Sequence, residues 1–229
     1  MSAGQLVRFT LDSGQVCSAL WQAGADARSC YVFAHGAGAG MTHPFMSGVA
    51  EALAQRRIAT YRFQFPYMER GTKRPDPPAI AQAAVRPAVE DARRWMPGLP
   101  LVAGGKSFGG RMTSQAQAQA ALPGVRGLAF LGFPLHAAGR PGIDRAAHLS
   151  ALALPLLFVQ GTRDKLADEA LIRSVVQGLG ERASVRFIAE ADHSFRVPAR
   201  SGRSQADVDR ELTTALADWM DAVTASSSS

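Results

Sequence analysis

The apolar positions along this chain change period in a regular way. Val7, Phe9 and Leu11 alternate with polar neighbours, Asp12-Ser13-Gly14 supplies turn chemistry, and alternation resumes from Val16 to Trp21. Two alternating runs around a glycine-containing turn predict an antiparallel hairpin, which Gly24-Ala25-Asp26 ends. Cys30 to Ala34 is then apolar without a break, as in a strand covered on both faces. From Pro44 the spacing becomes helical, with Met46, Val49 and Leu53 on one face. Ile58 to Phe65 reads as a strand and Pro66 to Pro78 as a polar, proline-rich loop. Val85, Val89, Ala92 and Met96 mark a helix that stops at Pro97-Gly98.

The second half repeats the alternation. Leu101, Val102 and Ala103 form an apolar run followed by a glycine-rich turn and a helix-compatible segment. Gly127 to Phe133 reads as a strand, Ile143 to Ala151 as a short helix, and Leu154 to Gln160 as a strand. Leu171, Val175 and Leu179 mark a helical face, and Val185 to Ile188 is a last short strand. A final amphipathic helix runs from about Ser204, turning Val208, Leu212, Leu216, Trp219 and Val223 inward. Ser204 is its expected N-cap, with Asp207 in the acidic position of a capping box. The Ser226 to Ser229 tail is expected to be disordered.

A hairpin followed by strand–helix alternation without an internal repeat predicts a three-layer α/β domain with a mostly parallel sheet. The 229 residues suit one domain, drawn here as 1–225, and the stretch from Phe133 to Leu154 is too short for a separate cap. In such sheets ligands bind beyond the carboxyl ends of the strands. His35 to Gly40, the basic loop with Arg70, Lys73 and Arg74, Ser107, Asp164 and His193 all fall just after strands and should share one edge.

Gly105-Lys106-Ser107-Phe108-Gly109 is the chemically suggestive motif. Strand, sharp turn carrying a serine, then helix is the order of a nucleophile elbow, and glycines two before and two after the serine leave room where a Cβ would clash. A bare G-x-S-x-G arises by chance often enough that its partners decide its meaning. A serine hydroxyl needs a base to take its proton, and the base needs an acid to hold its tautomer. After Ser107 the histidines are His136, His148 and His193. His193 sits in a loop after the last strand, with Asp164 in an upstream loop; Asp168 and Asp192 remain alternative acids. His35, His43, His136 and His148 read as structural. Gly105-Lys106-Ser107 resembles the end of a phosphate-binding loop, but Pro100 stands where its first glycine belongs, and Met41 breaks a dinucleotide fingerprint at Gly36 and Gly38.

Ser107, Asp164 and His193, in that order and each after a strand, resemble the triad of the α/β-hydrolase superfamily over nearly the whole chain. Gly104 to Met112, His35-Gly36-Ala37-Gly38 and Phe65-Pro66-Tyr67-Met68 are similar to a branch of small bacterial hydrolase-like proteins of the KANL/Tex type. That branch is loosely similar to dienelactone hydrolases, which use cysteine where this chain has Ser107. The resemblance implies that Asp164 orients His193, and that the backbone N–H groups of Ala37 and Phe108 form an oxyanion hole. It implies hydrolysis of a small ester, thioester or related acyl substrate, without cofactor or metal. A non-catalytic binding or scaffold module is the rival reading, as is use of the same triad by a peptidase or haloperoxidase. The loop with Arg70, Lys73 and Arg74 reads first as a solvated loop and second as a substrate rim for an anionic acyl group.

Composition changes this picture little. The net charge is +6, but the arginines are scattered among acids, and a nucleic-acid footprint is normally clustered, so no nucleic-acid partner is expected. No apolar run approaches a membrane span, because Ser150 and Pro155 break the longest, Leu149 to Val159. Met1 to Gln5 carries no signal-peptide pattern. Cys17 and Cys30 make neither a disulfide framework nor a metal site, and the expectation is an enzyme of the reducing cytoplasm.

Overall fold

The computed structural model describes residues 4–24 and 26–225. Ala25, in the expected turn after the hairpin, and the Ser226–Ser229 tail lie outside the described residues. Eight strands form one sheet: β1 (Gln5–Thr10), β2 (Val16–Gln22), β3 (Ser29–Ala34), β4 (Ile58–Phe63), β5 (Leu101–Lys106), β6 (Val125–Leu131), β7 (Leu156–Gly161) and β8 (Ala183–Ile188). Their order is β1-β2-β4-β3-β5-β6-β7-β8. The β1–β2 hairpin is antiparallel and joins β4 antiparallel through β2, whereas every pairing from β4 to β8 is parallel. Among the described residues the α-helices are α1 (Pro44–Gln55), α2 (Pro66–Glu69), α3 (Pro78–Trp95), α4 (Phe108–Gln119), α5 (Glu169–Leu179) and α6 (Gln205–Ala225).

The period-two geometry of a strand divides the core between two faces. Tyr31 and Phe33 of β3, Val102, Leu131 and Val159 pack on one side with Met46, Val49 and Leu53 of α1 and Val208, Leu212 and Leu216 of α6. Val32, Ala103, Phe130 and Phe158 pack on the other with Val85 and Val89 of α3, Met112 of α4 and Ile172 of α5. Strands β3, β4 and β7 are buried throughout, which is why residues 30–34 and 156–159 are uninterrupted apolar runs, while Arg62 in β4 is buried with Ser47 and Gln22 as hydrogen-bond partners. Ser204 caps α6 as the sequence indicates, its Oγ accepting the Asp207 N–H at 3.1 Å.

Several bounds differ from the sequence reading, each for a local reason. Pro66–Pro78 is not all loop: Pro66 opens the single turn of α2 and Tyr67 is buried. Proline at the first helical position suits a short helix that has no periodicity to betray it. Strand β4 ends at Phe63 rather than Phe65, because the Phe65 N–H is given to His35. Strand β6 covers Val125–Leu131 and stops before Gly132, which takes φ +70°. The expected helix at 143–151 is a 3-10 helix, Asp144–Ala151. The helix marked by Leu171, Val175 and Leu179 begins at Glu169, because Asp168 Oδ1 accepts the Leu171 N–H at 3.1 Å.

Strand order reverses between β3 and β5: the chain leaves β3 toward β4 on one side and later returns to β5 on the other. The crevice at such a switch point is the favoured ligand site of an open α/β sheet. The His35 turn and Ser107 follow those two strands directly.

Candidate active site

Ser107 links β5 to α4 with φ 49° and ψ −115°, a strained conformation for a residue with a side chain. The glycines around it are required sterically. A Cβ on Gly105 would lie 2.4 Å from Ala34 O and 2.8 Å from Gly109 C, and one on Gly109 would lie 2.5 Å from both Ala34 O and His35 O. The end of β3 therefore crosses the elbow in contact with its backbone. Thr113 Oγ1 donates to Gly109 O at 2.9 Å and closes the first turn of α4. Ser107 consequently stands at the N-terminus of a twelve-residue helix, where developing negative charge is favoured.

The base and acid reach it from two further strand ends. Ser107 Oγ is 2.8 Å from His193 Nε2, and His193 Nδ1 is 2.7 Å from Asp164 Oδ2. The carboxylate can only accept, so Nδ1 carries the proton and Nε2 faces the serine hydroxyl as an acceptor. The Asp164 side chain is fully buried and that of His193 is 23 % exposed, so the acid is shielded while the imidazole opens to the crevice. Gly161 makes the approach possible: a Cβ there would lie 2.3 Å from Ala191 O, in the loop that carries His193.

Asp164 is itself held. Leu166 N–H donates to Oδ1 at 2.8 Å and Gln160 Nε2 to Oδ2 at 2.5 Å, while Gln160 Oε1 accepts the Phe133 N–H at 2.9 Å. The alternative acids have other work. Asp168 caps α5, and Asp192 Oδ1 accepts the N–H groups of Ser194 and Arg196, shaping the histidine loop.

The glycine turn after β3 is fixed by buried polar groups. His35 Nε2 accepts the Phe65 N–H at 3.0 Å and its Nδ1–H donates to Gly36 O at 2.8 Å. Burial drives its pKa down to about 4, against a smaller upward pull from the Gly36 hydrogen bond, so the ring is neutral. Tyr67 Oη accepts the Gly38 N–H at 3.2 Å. The rings of Phe65 and Tyr67 meet Phe108, the residue after the serine, with centroids 5.4 and 6.3 Å apart.

A family described as the alpha/beta hydrolase domain matches residues 27–221. The chain belongs to the α/β-hydrolase family. This α/β-hydrolase is similar in fold to a serine hydrolase homologue from Coxiella burnetii at 17 % identity and TM-score 0.75, covering 94 % of this chain and 99 % of the other. It is similar to XC6422 from Xanthomonas campestris, described as an α/β serine hydrolase without a lid, at 19 % identity and TM-score 0.72, covering 96 % of each. A dienelactone hydrolase from Anabaena variabilis shares 18 % identity at TM-score 0.76, covering 97 % of this chain and all of that one.

Ser107, His193 and Asp164 thus form the hydrogen-bonded arrangement of a Ser-His-Asp triad, and the broken geometry that a scaffold reading would favour is not what is found. The other histidines are structural, as their sequence positions suggest, and each has a partner. His43 caps α1 through Phe45 N–H, His136 Nε2 accepts the Asp168 N–H, and His148 Nε2 meets Ser114 Oγ. The basic loop divides: Arg70 is paired with Asp76 at 2.5 Å, while Lys73 and Arg74 are exposed. Gln160 and the contacts of Lys106 were missed. A glutamine ending an apolar strand is the one signal that pointed to the first. Among the described residues no helix is long and apolar enough to cross a membrane, and no group of metal-ligating side chains gathers.

Proposed function

We propose that this α/β-hydrolase transfers the acyl group of a small ester, thioester or related substrate to water through an acyl-enzyme on Ser107. The observation that carries the reading is the unbroken relay from Ser107 Oγ through His193 to the buried Asp164. Ser107 Oγ attacks the carbonyl carbon as its proton passes to His193 Nε2, and the carbonyl oxygen takes the negative charge. His193 returns the proton to the leaving group, then deprotonates the water that releases the acyl chain and restores the serine.

We assign the oxyanion hole to the backbone N–H groups of Phe108 and Ala37. Two facts support it: Phe108 opens α4, where the first N–H groups have no helical partner, and the Gly36 turn lies against the elbow, within 3.9 Å of Ser107 Cβ for a Cβ built on Gly36. Removing one such donor costs on the order of 10²–10³ in kcat elsewhere. The loop carrying Lys73 and Arg74 is assigned to the rim, because Lys73 O lies 3.5 Å from where a Gly38 Cβ would be. We further place the chain in a cap-free, cofactor-independent and cytoplasmic branch of the KANL/Tex type; the short β6–β7 connection favours the missing cap, and the buried free thiols of Cys17 and Cys30 favour a reducing compartment.

A fluorophosphonate probe tests the reading. Wild type is expected to label at Ser107 and to hydrolyse short nitrophenyl esters or thioesters. Ser107→Ala and His193→Ala should each lose on the order of 10⁴-fold or more in kcat while keeping the wild-type melting curve within a few degrees. A folded wild type that takes no label and turns over none of these substrates refutes it.

A further inference from the structure

Lys106, one residue before the nucleophile, has an arrangement that the triad chemistry does not account for. Its ammonium donates to the backbone oxygen of His193 at 2.6 Å and sits 5.9 and 5.3 Å from the ring centroids of Phe45 and Phe195. Those two rings stack on each other with centroids 5.8 Å apart. The space for the ammonium is reserved by Gly132, where a Cβ would stand 2.9 Å from Nζ. The side-chain stem passes Gly36, whose Cβ would lie 3.5 Å from Lys106 Cγ. A lysine reaching across the elbow to the far loop therefore lies beside the segments that follow β3, β6 and β8.

The loop it reaches needs an external hold. Glu190 and Phe195 both lie at positive φ, 60° and 59°, although neither is glycine. Non-glycine residues persist there only where surrounding contacts over-determine them. Asp192 supplies such contacts from inside the loop, and Lys106 supplies one from outside, on the backbone of the base itself.

We propose that Lys106 is a positioning residue for the catalytic base: its ammonium, clasped by Phe45 and Phe195, fixes the His193 main chain at the distance from which the imidazole meets Ser107. The proposal rests on the serine-hydrolase reading and adds to it a residue that acts through His193. Lys106 is desolvated, which lowers its pKa to about 8; the facing acids, Asp164 from the loop after β7 and Asp192 from the histidine loop, partly oppose that shift. The element α1 contributes the Phe45 ring and the loop after β6 contributes Gly132. A charged donor makes a hydrogen bond roughly twice as strong as a neutral one and alone gains from the ring faces, so the clasp weakens as the pH passes 8.

Rates of fluorophosphonate labelling of Ser107 between pH 6.5 and 9.5 test this for wild type, Lys106→Met and Lys106→Arg, with thermal melts as folding controls. Wild type should lose about fivefold with a midpoint near pH 8. Lys106→Met should be slower by on the order of 10- to 100-fold at pH 7, with no inflection near 8 and the loss in the maximal rate rather than in probe affinity. Lys106→Arg should recover part of the rate and hold it to pH 9.5, because its charge does not titrate there. A Lys106→Met profile that superimposes on wild type overturns the proposal and leaves the hydrolase reading standing. So does a wild-type inflection near 8 that persists in Lys106→Arg, the arm that decides the matter if the methionine variant does not fold. A wild type that never labels overturns both.

Discussion

His35 makes the stability of this enzyme depend on pH in a definite direction. Its ring is fully buried, its Nε2 is the acceptor for the Phe65 N–H, and its folded pKa is about 4 against 6.5 when unfolded. Between these values the unfolded chain binds a proton that the folded chain refuses, so stability is complete above about pH 6.5 and falls as the pH drops toward 4. One group with this shift costs about 2 kcal/mol at pH 5 and about 3 kcal/mol at pH 4, relative to pH 8. The loss has a structural counterpart: a protonated Nε2 would turn a donor toward the Phe65 N–H and release the turn beside Ser107. The measurement is urea unfolding at half-unit steps from pH 8 to 4.5, for wild type and His35→Gln, whose amide oxygen can accept the same N–H but does not titrate. Wild type should lose about 2 kcal/mol more than His35→Gln between pH 8 and pH 5. His148, lowered to about 4 by burial and by the charge of Arg111, titrates in both proteins and cancels from the comparison. Parallel curves for the two would refute the reasoning.

Two other substitutions separate holding the acid from being near it. Gln160→Leu orphans the buried Phe133 N–H and removes a charge-assisted bond to Asp164, so chemical denaturation should show a loss of about 2–5 kcal/mol, with slower labelling of Ser107 in the protein that remains folded. A loss below about 1 kcal/mol would remove Gln160 from the acid's support. Asp168→Ala should cost about 1 kcal/mol through the lost cap of α5 and leave the labelling rate as in wild type. A collapse of labelling in that variant would reopen the choice of acid.

The architecture was legible because the central strands are buried on both faces and the edge hairpin alternates. Runs such as Cys30 to Ala34 read as central strands, and the elbow glycines gain their meaning from the strand before them and the helix after. Chain order and position after strands point to Ser107 and His193, and the family resemblance, not the spacing, singles out Asp164 from Asp168 and Asp192. What escaped is what depends on a single long-range contact. Strand β4 ends early because Phe65 donates to a histidine thirty residues away, and no local pattern records that bond. The turn of α2 is four residues long, shorter than any helical period can announce. Gln160 and Lys106 act through partners 27 and 87 residues distant, so their types are visible in the sequence and their work is not.

The conformation of Ser107 sets stability against chemistry at one residue. At φ 49° and ψ −115° a serine carries strain of order 1–3 kcal/mol that a glycine would relieve. Ranked by folding free energy alone, the chain with glycine at 107 should beat the native one. Optimising this enzyme for heat resistance without an activity screen would therefore discard its nucleophile among the first gains. The elbow is a place where the folded state is kept worse than it needs to be, and the hydroxyl is what that deficit holds in place.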